Sequence, residues 1–390
     1  MQKRIFISVG EVSGDNHAAG LVRRLRQRDA QLIIDAIGGP QMKAAGALIH
    51  HETTRQAAMS FHAVKRVNEI RTLRSWLAAR YASNEKPDLH VCVDSSGFNL
   101  SFAKLAKSFG IPVLYYVAPQ LWASREGRIK KMRACVDELA CIFPFEEKWF
   151  SARGVKTTFV GHPLFDELPR DRFERPRAAL TDRGPVIGVV PGSRSSEVRE
   201  NFPPLLDVMR VIAGEFPGAR FVIPTTPAGH AKVEALLKCQ PDNSLDVTVK
   251  QNAFDELIST CDLVLCKSGT STVHVAAWGV PMVVVYRVNT LAWHAVGRWL
   301  IKTPKIAMVN ILAGNVELVP EFIPWNGATA PIAESALALL RDPIKLAKMR
   351  TDLIELIRPL DQRGASDNVA SIVLRMLNAE KPQMNADERG

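Results

Sequence analysis

The sequence predicts an α/β protein of two doubly wound, Rossmann-like domains that face a cleft, with C-terminal helices packing back across the domains. Three observations carry that expectation. At 390 residues the chain exceeds an ordinary single domain of about 100–200 residues. Short β-type runs alternate with helical segments in both halves, the pattern of a parallel sheet wrapped by helices. Between the halves, Leu168 to Arg177 is charged and proline-bearing, with little that could enter a core, and reads as a linker.

In the first half the β-type runs are Ile5 to Val9, Leu32 to Ile37, His90 to Val93, Val113 to Val117 and Thr158 to Val160. The pattern restarts at Val186 to Val190 and continues through Arg220 to Ile223, Asp246 to Val249, Leu263 to Leu265 and Met282 to Tyr286. Helical periodicity closes the chain over Ile332 to Leu340, Ile344 to Ile357 and Ser366 to Leu377. The expected division is an N-terminal domain over 1–168, a linker over 169–184, and a C-terminal domain over 185–358. Residues 359–390 then supply a helix returning to the first domain and a polar tail. In such sheets ligands bind beyond the carboxyl ends of the strands.

Composition narrows the partners. Hydrophobic residues at 47% and charged residues at 23% suit a globular chain with real cores. Fifty Lys and Arg against forty Asp and Glu give a formal charge of +10, which favours a polyanion: nucleic acid, an anionic lipid surface or a phosphorylated substrate. No nucleic-acid signature accompanies it. The apolar run after Met1-Gln2-Lys3-Arg4 stops at Gly10, too short for a secretion signal, so a cytoplasmic location is expected. Nothing approaches the roughly 20 apolar residues of a membrane span. Six cysteines without a C-x-x-C pair argue against zinc or a disulfide framework, and no metal or cofactor is expected.

Four strand-end loops could carry chemistry. Gly10-Glu11-Val12-Ser13-Gly14-Asp15 is a glycine-bearing turn opening a helix. Its acids are poor neighbours for a pyrophosphate, so a sugar hydroxyl is the better guest, and a plain capped turn is the bland alternative. Asp94-Ser95-Ser96-Gly97-Phe98-Asn99 puts a carboxylate at a strand end, placed either for general-base work or to brace a turn. Pro191-Gly192-Ser193-Arg194 and Lys267-Ser268-Gly269-Thr270-Ser271-Thr272 offer small residues, backbone donors and a guanidinium that together suit a diphosphate. Two basic amphipathic stretches could meet a membrane or simply pack. One runs from Phe61 to Leu77 with Lys65, Arg66, Arg71, Arg74 and Arg80; the other runs from Leu291 through Trp293 and Trp299 to Lys305.

The ordered motif series resembles the lipid-A-disaccharide synthases, inverting glycosyltransferases of GT-B architecture. The series includes Gly10 to Asp15, Gly39-Pro40-Gln41-Met42, Asp94 with Phe98-Asn99, Tyr116 to Ala123, Phe143 to Glu146 and Gly161-His162-Pro163-Leu164. It continues with Pro191 to Arg194, Ser268-Gly269-Thr270, Tyr286-Arg287 and Asn310 to Gly314. The resemblance implies transfer from UDP-2,3-diacylglucosamine to 2,3-diacylglucosamine 1-phosphate at the cytoplasmic leaflet of the inner membrane, as a peripheral enzyme. A homo-oligomer is left open. It assigns Asp94 and Arg194 catalytic roles. Substrate contacts fall to Glu11, Ser13, Asn99, Gln120, Gly192, Ser193, Ser268, Gly269, Thr270, Ser271, His274 and Asn310. Another UDP-sugar enzyme of the same fold, or a noncatalytic lipid or nucleotide binder, is the competing reading.

Three positions depart from the family pattern. Gly97 stands where the family usually has a second aspartate, and Ser124 where it has a tryptophan. His274 stands where a glutamate usually meets the nucleotide ribose; an imidazole accepts one hydroxyl rather than two.

Overall fold

The computed structural model describes residues 2–54, 63–174, 184–240, 245–287 and 303–379. They form two compact units. The first comprises the described residues up to Leu121, Glu126–Asp166 and those from Gln362 on; the second comprises Trp122–Arg125 and those from Glu167 to Asp361.

The first unit holds seven strands: β1 (Arg4–Val9), β2 (Ile33–Gly38), β3 (Leu48–Glu52), β4 (Leu89–Val93), β5 (Val113–Tyr116), β6 (Glu138–Cys141) and β7 (Thr157–Phe159). They lie in the order β3-β2-β1-β4-β5-β6-β7, and every pairing is parallel. The second unit holds β8 (Val186–Val190), β9 (Arg220–Thr225), β10 (Asp246–Gln251), β11 (Leu263–Lys267), β12 (Met282–Arg287) and β13 (Glu321–Trp325). Their order is β10-β9-β8-β11-β12-β13, again all parallel. Central strands such as β1, β4 and β8 are buried on both faces, which is why they read as largely apolar runs rather than alternations, with Ser8 and His90 as buried polar exceptions.

β3, β6 and β13 are absent from the sequence expectation, and each carries charge inside the strand. Glu138 of β6 is buried because Lys156 and Arg375 pair with it at 2.7 and 2.6 Å. Glu321 of β13 accepts from the N–H groups of Ile306 and Ala307 and from Asn310 Nδ2. β3, with two histidines and a glutamate, is an edge strand and mostly exposed.

The expected linker is partly corrected. Residues 175–183 lie outside the described residues, but Leu168 and Arg172 are both only 2% exposed. Arg172 donates to the carbonyls of Ala277 and Pro169 and pairs with Asp361 at 2.5 Å, so this turn is packed rather than solvated. Of the first amphipathic stretch, Phe61 lies outside the described residues. The helix Ala63–Tyr81 buries Leu73, Leu77 and Tyr81, and Trp76 packs edge-on against His51 at 4.6 Å. Arg80 is not on the solvated face: it is buried and paired with Asp35 at 3.0 Å. Arg71 and Arg74 are exposed. Leu291 through Lys302 of the second stretch lie outside the described residues, and Lys305 pairs with Glu317.

Ala330–Leu340 and Pro343–Ile357 belong to the second unit, whereas the helix Ala365–Asn378 belongs to the first. There Asp367 receives Arg24 and Arg28 from the helix Val12–Arg28 at 3.2 and 3.0 Å. Asp166 accepts the N–H groups of Gly364, Ala365 and Ser366, capping the returning helix.

The order in which successive strands are added reverses between β1 and β4 in one sheet and between β8 and β11 in the other. Val9 pairs with Val93, and Val190 with Cys266. The four loops singled out from sequence therefore leave side by side in two pairs, each at a topological switch point.

Candidate functional site

At the first switch point Gly10 is required by contact, since a Cβ there would lie 2.9 Å from the Phe98 ring. Asp15, 1% exposed, accepts from the N–H groups of Gly39, Gln41 and Met42. It therefore ties the second motif to the first rather than meeting a ligand. Burial pushes its carboxyl above the usual range despite those three bonds.

Asp94 and Ser95 both adopt left-handed backbone, φ 54° and 45°, a conformation that costs non-glycine residues about 1 kcal/mol or more each. The turn brings three predicted residues together. Ser13 Oγ donates to Asp94 Oδ2 at 3.3 Å, the Ser95 N–H donates to Oδ1 at 2.6 Å, and Ser95 Oγ reaches Glu11 Oε1 at 3.3 Å. Asp94 remains half-exposed. Asn99 does not join them as a ligand group. It is fully buried, and its Nδ2 donates to the carbonyls of Val93 and Asp94 at 2.7 and 2.9 Å. Gln120 is exposed on the turn after β5.

At the second switch point Gly192 has φ +135°, and a Cβ would lie 2.5 Å from that of Glu197. Glu197 escaped the sequence reading. Its Oε2 accepts the N–H groups of Ser193 and Arg194 at 2.9 and 3.4 Å, while Oε1 faces Lys267 Nζ at 3.0 Å and Arg194 Nη1 at 3.6 Å. Burial would raise this carboxyl, but Lys267, the Ser193 N–H and Arg194 outweigh it and hold it below the usual range. An acid three residues beyond the helix cap is the signal that could have found it. Lys267 also stands 4.9 Å from the centre of the Tyr286 ring.

In the partner loop Gly269 has φ +156° and Thr270 opens the helix Thr270–Ala277. Ser268 is mostly buried with its N–H on the Val285 carbonyl, and Ser271 Oγ donates to Lys267 O. The exposed side chains of these two loops include Ser193 and Thr270, with the Arg194 guanidinium partly exposed, whereas the N–H groups of Ser193 and Arg194 are taken by Glu197. His274 is held from the side: Nε2 lies 2.7 Å from Asp255 Oδ1 and its ring stacks on Phe254 at 4.2 Å. Asn310 departs from expectation. It is fully buried, with Nδ2 on Val319 O and Glu321 and Oδ1 accepting from Leu318 and Val319, so it braces its loop instead of facing a substrate.

Two Rossmann-like units, each a parallel sheet with paired loops at its switch point, make the GT-B fold. Solved structures agree on the fold. A UDP-GlcNAc 2-epimerase from Neisseria meningitidis bound to UDP-GlcNAc superposes with a TM-score of 0.62 at 15% identity, covering 96% of this chain and 100% of that one. The S. aureus MnaA–UDP co-structure gives 0.65 at 13% identity, covering 98% and 99%. The sequence itself decides within the class. The family model for lipid-A-disaccharide synthetase matches residues 5–376, and the chain belongs to that family. A lipid-A-disaccharide synthase of Geobacter sulfurreducens is 36% identical over 97% of this chain and 98% of its own length. One of Burkholderia pseudomallei is 34% identical over 97% and 98%. The chain is therefore a glycosyltransferase of lipid A disaccharide formation, and the epimerase and binder readings fall away.

Proposed function

We propose that the chain joins UDP-2,3-diacylglucosamine to 2,3-diacylglucosamine 1-phosphate by direct inverting displacement. The products are UDP and a β-1,6-linked disaccharide 1-phosphate. The acceptor 6-oxygen bonds to the donor C1, the C1–phosphate oxygen bond breaks, and the hydroxyl proton passes to Asp94. No enzyme nucleophile is needed.

The observation that carries this reading is Asp94 itself, a half-exposed carboxylate at a switch point, held in left-handed backbone with Ser13 on one oxygen. Glu11 and Ser13 then border the acceptor sugar, and Gln120 lies on an adjoining turn. Negative charge grows on the departing diphosphate, and the Arg194 guanidinium, the Lys267 ammonium and the loop N–H at Thr270 are the donors suited to it. His274, beside Asp255, is assigned to the nucleoside end.

No helix among the described residues is long and apolar enough to cross a membrane. Peripheral contact with an anionic leaflet through the exposed Arg71 and Arg74 fits lipid substrates, and reversing both to Glu should release the protein from anionic vesicles at low salt. Incubating the purified protein with the two lipids and assaying UDP and disaccharide phosphate tests the activity; release of UDP without disaccharide would overturn the transfer.

A further inference from the structure

Four buried polar side chains lie in line beneath the Asp94 turn, and the proposed displacement uses none of them. Tyr81 OH lies 2.5 Å from His90 Nδ1, His90 Nε2 lies 2.8 Å from Ser8 Oγ, and Ser8 Oγ lies 2.7 Å from Asn99 Oδ1. All four residues are at most 1% exposed. They come from four elements: the end of the helix Ala63–Tyr81, β4, β1 and the helix Ser96–Ser108.

Only one assignment of protons satisfies the line. Asn99 must present Nδ2 to the carbonyls of Val93 and Asp94, so its Oδ1 accepts. Ser8 therefore donates its single hydroxyl proton to Asn99 and must accept from His90. His90 accordingly carries its proton on Nε2, leaving Nδ1 to accept from Tyr81. Burial pushes the His90 pKa down to about 3, so the ring stays neutral at working pH. The direction of every bond is fixed, and the line ends on the backbone of Asp94.

Polar groups in a sheet core cost stability unless fully paired, and the next side chain on the same face of β1, Phe6, is apolar. The turn they support needs holding, because two consecutive non-glycine residues are left-handed there. Tyr115 OH adds a second donor to the Asp94 carbonyl at 2.6 Å.

We propose that Tyr81, His90 and Ser8 are positioning residues of the transfer reaction, forming a one-directional buried hydrogen-bond line that fixes the Asn99 amide and through it the aim of the Asp94 carboxylate. The proposal rests on Asp94 as the base. It differs from a general stability role in acting on kcat through one residue.

Tyr81→Phe and Ser8→Ala each remove one link with little change of volume. Each should lower kcat about 5- to 10-fold, the usual reach of one neutral hydrogen bond, with KM for both lipids within twofold. In an Asp94→Asn background the same substitutions should leave the residual rate unchanged, because the group being aimed is gone. Nitrogen NMR of His90 should show the neutral Nε2–H tautomer. The line is overturned if either variant retains full kcat, if the loss persists in the Asp94→Asn background, or if the proton sits on Nδ1. Retained turnover in Asp94→Asn alone sinks the base assignment instead; inactive Asp94→Asn beside fully active Tyr81→Phe sinks only the line.

Discussion

Glu197 Oε1 stands 3.0 Å from Lys267 Nζ while Glu197 Oε2 accepts the Ser193 N–H at 2.9 Å, so one carboxylate engages both the loop after β8 and the last residue of β11. A diphosphate arriving at these loops meets donors already gathered around a negative charge. The protein's own acid holds the cradle in shape, and Lys267 is the cation it shares between the two loops.

Lys267→Ala and Arg194→Ala should each weaken UDP binding about 10-fold or more, within the range of a charge-assisted hydrogen bond. They should slow transfer as well, since leaving-group charge grows toward the transition state. Arg194→Lys should rescue only in part, lacking the planar fork. Calorimetry showing UDP affinity unchanged in both alanine variants would falsify this placement of the diphosphate.

Asp94→Asn keeps the shape of the side chain and cannot accept the hydroxyl proton. Turnover should fall roughly 100- to 10,000-fold with UDP affinity and thermal unfolding nearly intact. A rate above about half the parent's, with chemistry limiting, would rule out this carboxylate as the base.

Gly97→Asp places a carboxylate where the resemblance leads one to expect it. A Cβ at Gly97 meets nothing within 4 Å, and the residue lies in the first turn of the helix Ser96–Ser108. The substitution should be accepted, raising stability by about 0.5 kcal/mol through helix propensity and the helix dipole. Thermal denaturation decides, and a clear loss of stability would reveal a constraint at this turn.

The sequence exposed most of the scaffold because central parallel strands are apolar on both faces. Ile5 to Val9 and Val186 to Val190 cannot be mistaken for loops. It hid β6 because buried Glu138 is paired with Lys156 and Arg375, β13 because Glu321 is satisfied by donors at Ile306, Ala307 and Asn310 outside the strand, and β3 because it is a mostly exposed edge strand. The site divides the same way. Asp94, Ser13 and Arg194 were legible as polar residues at strand ends. Asn99, one turn past a strand end, and Asn310, singled out through the motif Asn310 to Gly314, are polar as well, yet their amides are consumed by neighbouring backbone. Glu197 was missed because its cap position is local but its Lys267 partner is 70 residues away.

Asp35 provides an acid-sensitive joint in the first unit. Its carboxylate, 1% exposed, receives Arg4 at 2.5 Å, His50 at 2.7 Å and Arg80 at 3.0 Å. Burial would raise its pKa, but the His50 bond and the two guanidinium groups outweigh it and hold it below the usual carboxylate range. A depressed carboxyl stabilises the fold above its unfolded pKa, about 3.9, and loses that contribution as pH falls through the lower folded value. Asp35→Asn should therefore cost about 3–5 kcal/mol at neutral pH, with the gap to the parent closing below about pH 4. Urea midpoints at about pH 7 and in steps from about pH 4 down to about pH 2 test it; a gap that stays constant over the whole range would mean the cost is not electrostatic.

His274 is the departure whose repair depends on its neighbour. Restoring a glutamate there alone would set two carboxylates against each other, because Asp255 Oδ1 already faces the ring at 2.7 Å and also accepts from Trp278 Nε1 at 2.6 Å. Burial would raise Asp255, but the bonds from His274 and Trp278 hold it below the usual range, so it is ionised at neutral pH. His274→Glu should therefore lower stability and leave UDP affinity no better than the parent's. Adding Asp255→Asn removes the repulsion and gives the new carboxylate a donor. The double variant should regain stability and bind UDP more tightly than either single variant, by up to about 10-fold if the introduced carboxylate reaches the ribose. Calorimetry on the four proteins of this cycle decides. Equal UDP affinity in the double variant and the parent would mean that the helix Thr270–Ala277 does not present this position to the nucleotide.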